Sequence, residues 1–433
     1  MKNKIVYISL SVDILHHGHI NLINHAKKYG KVIAGLLTDK AIASHKRLPL
    51  LNFEQRKKIL ENISGIHNVV KQSDWDYSIN ILKIKPDFMV HGDDWKYGKD
   101  KDLRQKAVNS LRKVGGKLIE IPFTRNISSS AIQERIYEQG TTTSNRQIIL
   151  QRLLEVKNIC KFLEAHSPLS AIIAEKTFYK NKNGIKEEFD GFWSSSLTDS
   201  TLRGKPDIEV LDINQRLSNV NDIFDVTTKP LIIDIDTGGK IEHLEINLKT
   251  IERSGVSAVI MEDKKGLKKN SLFGNQVKQQ QENTKDFCKK ISASKKAVNK
   301  VMVIARVESL ILGKSMEDAL KRSEKYVEAG ADGIMIHSKD KSASKVLKFA
   351  EKFKKNYQNI PLVAVPSSYN SIREKQLENS GFNILIYANH MLRASYPAMK
   401  KVAYEILKNG RSFESDKSLL SIKNILELIP GTK

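Results

Sequence analysis

From residue 167 onward the chain repeats one rhythm: a short apolar run, a polar residue, then a stretch with helical spacing. The runs are 171–174, 189–193, 231–236, 258–262, 302–306, 333–337, 362–366 and 384–388. Eight strand–helix units in about 250 residues is the arithmetic of a (β/α)8 barrel of the TIM type, whose parallel strands all end on one face. Ser195, Asp234, Asp236, Glu262, Arg306 and His337 fall at or just past the ends of these runs. Surface polar residues scattered by chance would not follow strand ends so consistently. The pattern predicts a barrel with one polar mouth, preceded by a long amphipathic helix over 146–164.

Residues 1–138 have a different beat. Strand patterns at 5–9, 32–37, 88–91 and 117–121 alternate with helical spacing near 19–29, 53–62, 77–84 and 101–114. This predicts an α/β domain with a doubly wound, Rossmann-like parallel sheet. The polar run 139–145, which includes Gly140-Thr-Thr-Thr-Ser-Asn145, reads as a linker, leaving 146–433 to the barrel.

The balance of 72 Lys+Arg against 49 Asp+Glu, a net charge of +23, invites a nucleic-acid partner. Lysine supplies 56 of those cations and is spread along the whole chain, whereas arginine is the better bidentate reader of phosphates and base edges. The excess therefore reads as solvated surface and anionic small-molecule substrates, with no nucleic acid. No apolar stretch is long enough to span a bilayer, so no membrane partner is expected. The apolar run within the first ten residues is too short for a secretory leader and reads as a first buried strand. Cys160 and Cys288 stand far apart, which suits neither a disulfide framework nor a cysteine-ligated metal, and a reducing, cytoplasmic location is expected.

Two places carry chemistry. In the first block, the opening strand runs into His16-His17-Gly18-His19 and then a helix. A helix N-terminus suits a triphosphate, Gly18 leaves room for the phosphate, and His16 and His19 can stabilise charge on oxygens during attack at an α-phosphorus. Lys46-Arg47, Gly92-Asp93-Asp94-Trp95 and Thr124-Arg125-Asn126-Ile127-Ser128-Ser129-Ser130 each fall on the side where an open α/β sheet binds ligands. In the second block, Asp234 and Asp236 are two apart on a strand and so face the same way, with Glu262 ending the next strand. Oxygen ligands without His or Cys favour Mg2+ over zinc. The loop 264–274 carries Lys264, Lys268, Asn270 and Ser271, groups that offset phosphate charge and position a reacting group. Arg306 and His337 add a carboxylate binder and a hydrogen-bond donor.

The first block resembles the cytidylyltransferase family that uses glycerol 3-phosphate or ethanolamine phosphate, through H-x-G-H at 16–19, G-D-D-W at 92–95 and I-S-S-S at 127–130. The H-x-G-H element is shared with class I aminoacyl-tRNA synthetases, but no KMSKS-like loop accompanies it. The resemblance implies CTP as co-substrate, transition-state roles for His16 and His19, phosphate contacts from Lys46, Arg125 and Ser129, an orienting or Mg2+-linked role for Asp13, and Asp94 and Trp95 near the base and acceptor. Two positions depart from the family pattern: Val12 replaces its usual aromatic, and Phe123 its usual arginine.

The second block resembles the phosphoenolpyruvate mutase branch of the isocitrate lyase superfamily. The resemblance is carried by Phe162-Leu-Glu-Ala-His166, Phe192-Trp193-Ser-Ser195-Ser-Leu197, Asp234-x-Asp236 and the E-D-K…K-x-N-S signature beginning at Glu262. It implies conversion of phosphoenolpyruvate to 3-phosphonopyruvate. Asp236 would bind Mg2+ directly, with Asp234 and Glu262 acting through water. Ser195 and the backbone near Leu197 would hold the substrate, Trp193 would wall the pocket, and Arg306 and His337 would hold substrate oxygens. Asp207 would lie by the migrating phosphoryl group as nucleophile or positioner, under a gating loop bearing Lys268 and Asn270. Hydrolysis of phosphonopyruvate, or C–C cleavage of an isocitrate-like acid, remains the alternative chemistry on the same barrel. The resemblance also implies a homodimer or homotetramer built through the barrel's terminal helix, for which 418–429 has suitable spacing.

Overall fold

The computed structural model describes residues 4–96, 100–124, 128, 132–133, 140–182, 185–271, 273 and 278–429. The first unit holds β1 (Ile5–Leu10), β2 (Lys31–Leu37), β3 (Ile66–Gln72), β4 (Phe88–Gly92) and β5 (Lys117–Ile121) in a parallel sheet of order β3-β2-β1-β4-β5. The order reverses at β1, so the crevice beyond its C-terminal end, between β1 and β4, is where such a sheet takes a ligand. Four of the five strands follow the sequence pattern. β3 does not, because it is a half-exposed edge strand with a neighbour on one side only, and its IHNVVKQ sequence has no continuous apolar face.

The second unit is a closed parallel barrel. Its strands are β6 (Cys160–Glu164), β9 (Gly191–Ser194), β10 (Leu231–Asp234), β11 (Ala258–Glu262), β14 (Met302–Val307), β15 (Gly333–Ile336), β16 (Leu362–Ala364) and β17 (Ile384–Tyr387). Two antiparallel ribbons decorate it: β7 (Phe178–Lys180) with β8 (Lys186–Glu188), and β12 (Lys264–Lys265) with β13 (Gln280–Gln281). The first barrel strand corrects the sequence expectation. Residues 171–174 lie in the helix Pro168–Lys176, and the strand is Cys160–Glu164, inside the span expected to be helical. The helix Thr143–Val156 ends before it, and starts within the expected linker. Ser167 accepts a hydrogen bond from the Ser170 N–H and is followed by Pro168, a helix-start signature that reassigns Ala171-Ile-Ile-Ala174 to a buried helix face.

Strand alternation builds the mouth. Phe162, Trp193, Ile232, Ile260, Ile304, Met335, Val363 and Ile386 form one buried stack inside the barrel. Leu163, Ile233, Val259, Val303, Ile334 and Leu385, each one residue along its strand, pack outward under the helices. Two residues beyond the inner stack the same inward phase reaches Glu164, Ser195, Asp234, Glu262, Arg306 and His337. The core thus turns polar at one level on six strands. The opposite, N-terminal end is plugged by Leu150 and Leu153 of the helix Thr143–Val156, with Ala43 and Leu48 from the first unit. The last long helix, His390–Asn409, and the helix Ile422–Leu428 bury no residue. Among the described residues no helix is long and apolar enough to cross a membrane.

Candidate active sites

The barrel mouth is a dense network of opposed charges. Lys268 is its hub: the ammonium donates to Asp207 Oδ1 at 2.8 Å, to Ser196 Oγ at 2.5 Å and to Asp236. Ser196 Oγ donates to Asp234 at 3.0 Å, and Asn270 Nδ2 to the second oxygen of Asp207 at 3.2 Å. Arg306 bridges the remaining acids, with Nη2 3.1 Å from Glu262, Nη1 4.0 Å from Asp234 and Nε 2.5 Å from Glu308. Ser271 donates to Glu308 at 2.6 Å and accepts from Lys264 at 2.7 Å, which fastens the loop to the strand ends. His337 Nδ1 lies 3.3 Å from Arg306. Asp236 adopts a left-handed backbone (φ 54°), a conformation that costs energy and is held here by the surrounding contacts.

The charges set one another's protonation. Burial works against the ammonium of Lys268, but Asp236 and Asp234 outweigh it and keep the group charged. Burial also works against the Asp234 carboxylate, yet Lys268, Arg306 and Arg216 hold its pKa below the ordinary value. Glu262 differs: burial pushes it up to about 7, against the partial pull of Arg306 and Lys264. Both its oxygens are buried and accept no hydrogen bond, because Arg306 approaches off its N–H directions. Burial lowers His337, leaving it neutral at pH 7.

Sequence reasoning placed Asp207, Asp234, Asp236, Glu262, Lys268, Asn270, Ser271, Arg306 and His337 at one site, and the structure gathers them into one hydrogen-bonded and ion-paired set. Ser195 stands at the N-cap position of the helix Ser196–Leu202 without a side-chain capping bond, and that helix carries Leu197 in its first turn. Trp193 lies one layer deeper, in the inner stack, with its indole N–H buried and unbonded. Among the described residues no three acidic, His or Cys side chains converge closely enough to hold an ion, since Lys268 and Arg306 stand between the carboxylates. The donor set nevertheless fits Mg2+: hard carboxylate oxygens, one of them the undonated Glu262, at a place already occupied by cationic groups.

Sequence reasoning assigned no individual role to several residues of this site. Arg216 donates to Asp199 at 2.9 Å and to the Asp234 carbonyl, fixing β10 from behind. Glu164 holds His166 Nδ1 at 2.5 Å and accepts the N–H groups of Met391 and Leu392, which start the helix His390–Asn409. Glu308, two residues after Arg306, and the Glu164–His166 pair carried a usable signal, their period of two along a strand.

In the first unit, β1 delivers the histidine motif to the crevice. His16 and His19 stack at 3.9 Å, and the His16 N–H donates to His19 Nδ1 at 3.3 Å, so the neutral His19 ring carries its proton on Nε2. Burial first, then the His16 charge, lowers His19 to about 4. His16 Nδ1 is buried without a hydrogen-bond partner. A Cβ on Gly18 would meet the His16 ring at 3.0 Å, so glycine is needed for the ring's own position as well as for an approaching ligand. Asp13 accepts from the Leu51 N–H and from Gln133, each at 3.1 Å. Asp94 is exposed at the end of β4, whereas Trp95 is buried against Tyr77 and His91 and donates to Glu120 at 2.9 Å. Lys46 Nζ lies 5.4 Å from the centroid of Trp75. Arg125 and Ser129 lie outside the described residues. A cavity of about 1860 Å³ opens between the loop around Lys46 and the N-terminal ends of the barrel strands, remote from the barrel mouth.

Comparison with known proteins follows this division. The family model described as phosphoenolpyruvate phosphomutase matches residues 150–407, and a cytidylyltransferase-like model matches 11–135. A phosphonopyruvate hydrolase from Variovorax sp. is 34% identical over 64% of this chain and 93% of its own length. A phosphoenolpyruvate phosphomutase from Tetrahymena pyriformis is 32% identical over 64% and 89%. A glycerol-3-phosphate cytidylyltransferase from Bacillus spizizenii is 33% identical over 31% of this chain and 96% of its own length. A crystal structure of phosphonopyruvate hydrolase with oxalate and Mg2+ superposes with a TM-score of 0.57 at 33% identity, covering 65% of this chain and 94% of that one. The barrel, its ring of strand-end acids and the lysine–asparagine loop thus lie within a stretch matched over most of a known family's length: the chain belongs to the phosphoenolpyruvate phosphomutase family and carries a cytidylyltransferase-like domain ahead of the barrel.

Proposed function

We propose that the barrel interconverts phosphoenolpyruvate and 3-phosphonopyruvate. The observation that carries this proposal is the loop folded over the mouth, with Lys268 and Asn270 both on Asp207 and Lys268 also on Asp236. Arg306 and His337 offer N–H groups to the substrate's carboxylate and enol oxygens. Mg2+ held by Asp236, Asp234 and Glu262 would supply positive charge to those same oxygens. The phosphorus breaks its bond to the enol oxygen and forms one to the methylene carbon; the electron pair released to the enolate returns through that carbon, and no proton or co-reactant is consumed. Asp207 would accept or steady the phosphoryl group between the two bonds, a role its contacts with Lys268 and Asn270 support. The loop's second task is to exclude water, which would divert the phosphoryl group to phosphate and leave pyruvate.

A phosphonopyruvate hydrolase shares the barrel at 34% identity, so water exclusion is the quantity to test. Phosphorus NMR of the protein with phosphonopyruvate and Mg2+ separates the outcomes. Phosphoenolpyruvate as the product supports the mutase; inorganic phosphate with pyruvate replaces it with the hydrolase.

For the first unit we propose CMP transfer from CTP to a phosphonate or phosphate oxygen, with release of pyrophosphate. 2-Aminoethylphosphonate, a mimic of ethanolamine phosphate, is the favoured acceptor. The stacked His16–His19 pair, with an unpartnered buried nitrogen and a defined Nε2–H, supports it. A pyrophosphate-release assay over a panel of acceptors tests it, and no release with any phosphonate would remove it. We further propose that the chain works in a reducing, cytoplasmic setting as a homodimer or homotetramer joined through the C-terminal helices, which bury no residue within one chain.

A further inference from the structure

One polar side chain of the barrel helix Thr143–Val156, Arg152, reaches into the nucleotidyltransferase-like unit. Arg152 Nη1 donates to the Leu50 carbonyl at 2.9 Å and Nη2 to the Pro49 carbonyl at 2.8 Å, and Nη2 lies 3.6 Å from Asp39. Within the first unit the fully buried Arg56 donates to the next carbonyl, Leu51, at 3.1 Å and to the same Asp39 at 2.6 Å. Three consecutive carbonyls, 49 to 51, are therefore held by two arginines that share one carboxylate, and one of these arginines belongs to the barrel. The Leu51 N–H donates to Asp13, three residues before His16. Arg47, next to Lys46, donates to Glu175 of the barrel at 3.0 Å, and Leu48 packs into the barrel's plugged end. A loop in which Lys46 leads directly into this clamp cannot take its position from the first unit alone.

We propose that the barrel completes the nucleotide site: Arg152 is a positioning residue that fixes the 46–51 loop, through Asp13 on its far side, against the His16–His19 crevice. The proposal rests on the assignment of CTP binding to the first unit. It is asymmetric. All these contacts meet the barrel at its N-terminal end, where the strands begin, and the phosphonopyruvate chemistry lies at the other end. Loss of Arg152 therefore weakens the nucleotide site and leaves the barrel mouth untouched.

The test measures CTP binding to the full chain by calorimetry, beside the barrel's turnover of phosphonopyruvate. Two charge-assisted hydrogen bonds lost in Arg152→Ala should weaken CTP binding by roughly tenfold or more. The barrel's kcat and KM should stay as in the wild type, and Arg152→Lys, which keeps one donor point, should recover part of the loss. A wild-type chain that binds no CTP removes the underlying assignment. A wild-type chain that binds it, with Arg152→Ala binding equally well, overturns the coupling. Because the variant could also unsettle the barrel, hydrogen exchange on the wild-type chain supplies a second readout. CTP should slow exchange in peptides covering 46–52 and in the helix Thr143–Val156. Protection confined to the segment around His16–His19 overturns the proposal.

Discussion

Lys268→Ala is the perturbation with the most specific consequence. The Lys268 ammonium sits on Asp236, on Asp207 at 2.8 Å and on Ser196, the place a divalent cation would claim. Two unit charges about 4 Å apart interact by about 4 kcal/mol at an effective dielectric constant of 20. Removing one partner of a buried pair costs about 3–5 kcal/mol, because the acid left behind stays desolvated. Without divalent ions the variant should therefore melt lower than the wild type, by roughly 5–8 °C at about 1.7 °C per kcal/mol for a domain of about 290 residues. Mg2+ should restore much of that loss, since a ligand at one hundred times its Kd stabilises by about 2.7 kcal/mol. In the wild type the ion must first displace the ammonium, so its stabilisation by Mg2+ should be smaller than the variant's. Scanning calorimetry across a Mg2+ titration reads both. Turnover should collapse in the variant even while its metal affinity rises. Equal or weaker stabilisation of Lys268→Ala by Mg2+ would refute the view that lysine and metal compete for Asp236.

Three further outcomes are expected. Asp236→Ala should abolish barrel turnover and leave CTP binding intact, and His16→Ala should do the reverse, each read by paired phosphorus NMR and calorimetry. Because His19 is held down to about 4 against 6.5 when unfolded, it is neutral in the fold and takes up a proton on unfolding; its contribution to stability is complete above pH 6.5 and is lost as pH falls towards 4, so His19→Asn should flatten that part of a melting-temperature profile. Leu407 and Ile422 are 84% and 75% exposed within one chain, so Leu407→Glu with Ile422→Glu should leave the monomer's melting temperature nearly unchanged while shifting the sedimenting species to a smaller size, at a loss of about 2 kcal/mol of association per buried side chain.

What could be read from the sequence, and what could not, follows from where each signal resides. Seven of the eight barrel strands were visible because a strand buried on both faces is a continuous apolar run, and the site acids because they end such runs. β6 was hidden by its neighbour. Ala171-Ile-Ile-Ala174 is as apolar as any strand, and only the Ser167-Pro168 start marks it as helix. That one displacement also concealed the placement of Glu164 and His166, known only as members of a motif: Glu164 reaches the mouth only once 160–164 is a strand. Arg216 could not be found at all: it acts across sequence on the outer side of β9 and β10, and nothing local distinguishes it from a surface charge on a helix. Trp95 shows the opposite limit. Its motif is legible, yet its burial among Tyr77 and His91 depends on how two helices cover the sheet.

The two units meet at the barrel's N-terminal end. There the inner stack of apolar side chains is closed by Leu150, Leu153, Ala43 and Leu48, and the carbonyls of the 49–51 loop are tied across the junction. The barrel mouth lies a full strand length away, beyond that packed core. A packed interior admits no small molecule, so no route runs through the barrel from its mouth to the histidine crevice. What the junction changes is the order of one loop: a guanidinium anchored in the barrel's first helix does for carbonyls 49 and 50 what the first unit's own Arg56 does for 51. If the first unit binds CTP as proposed, these contacts would let the barrel act on the geometry of that site, and the effect would run from the barrel to the smaller unit.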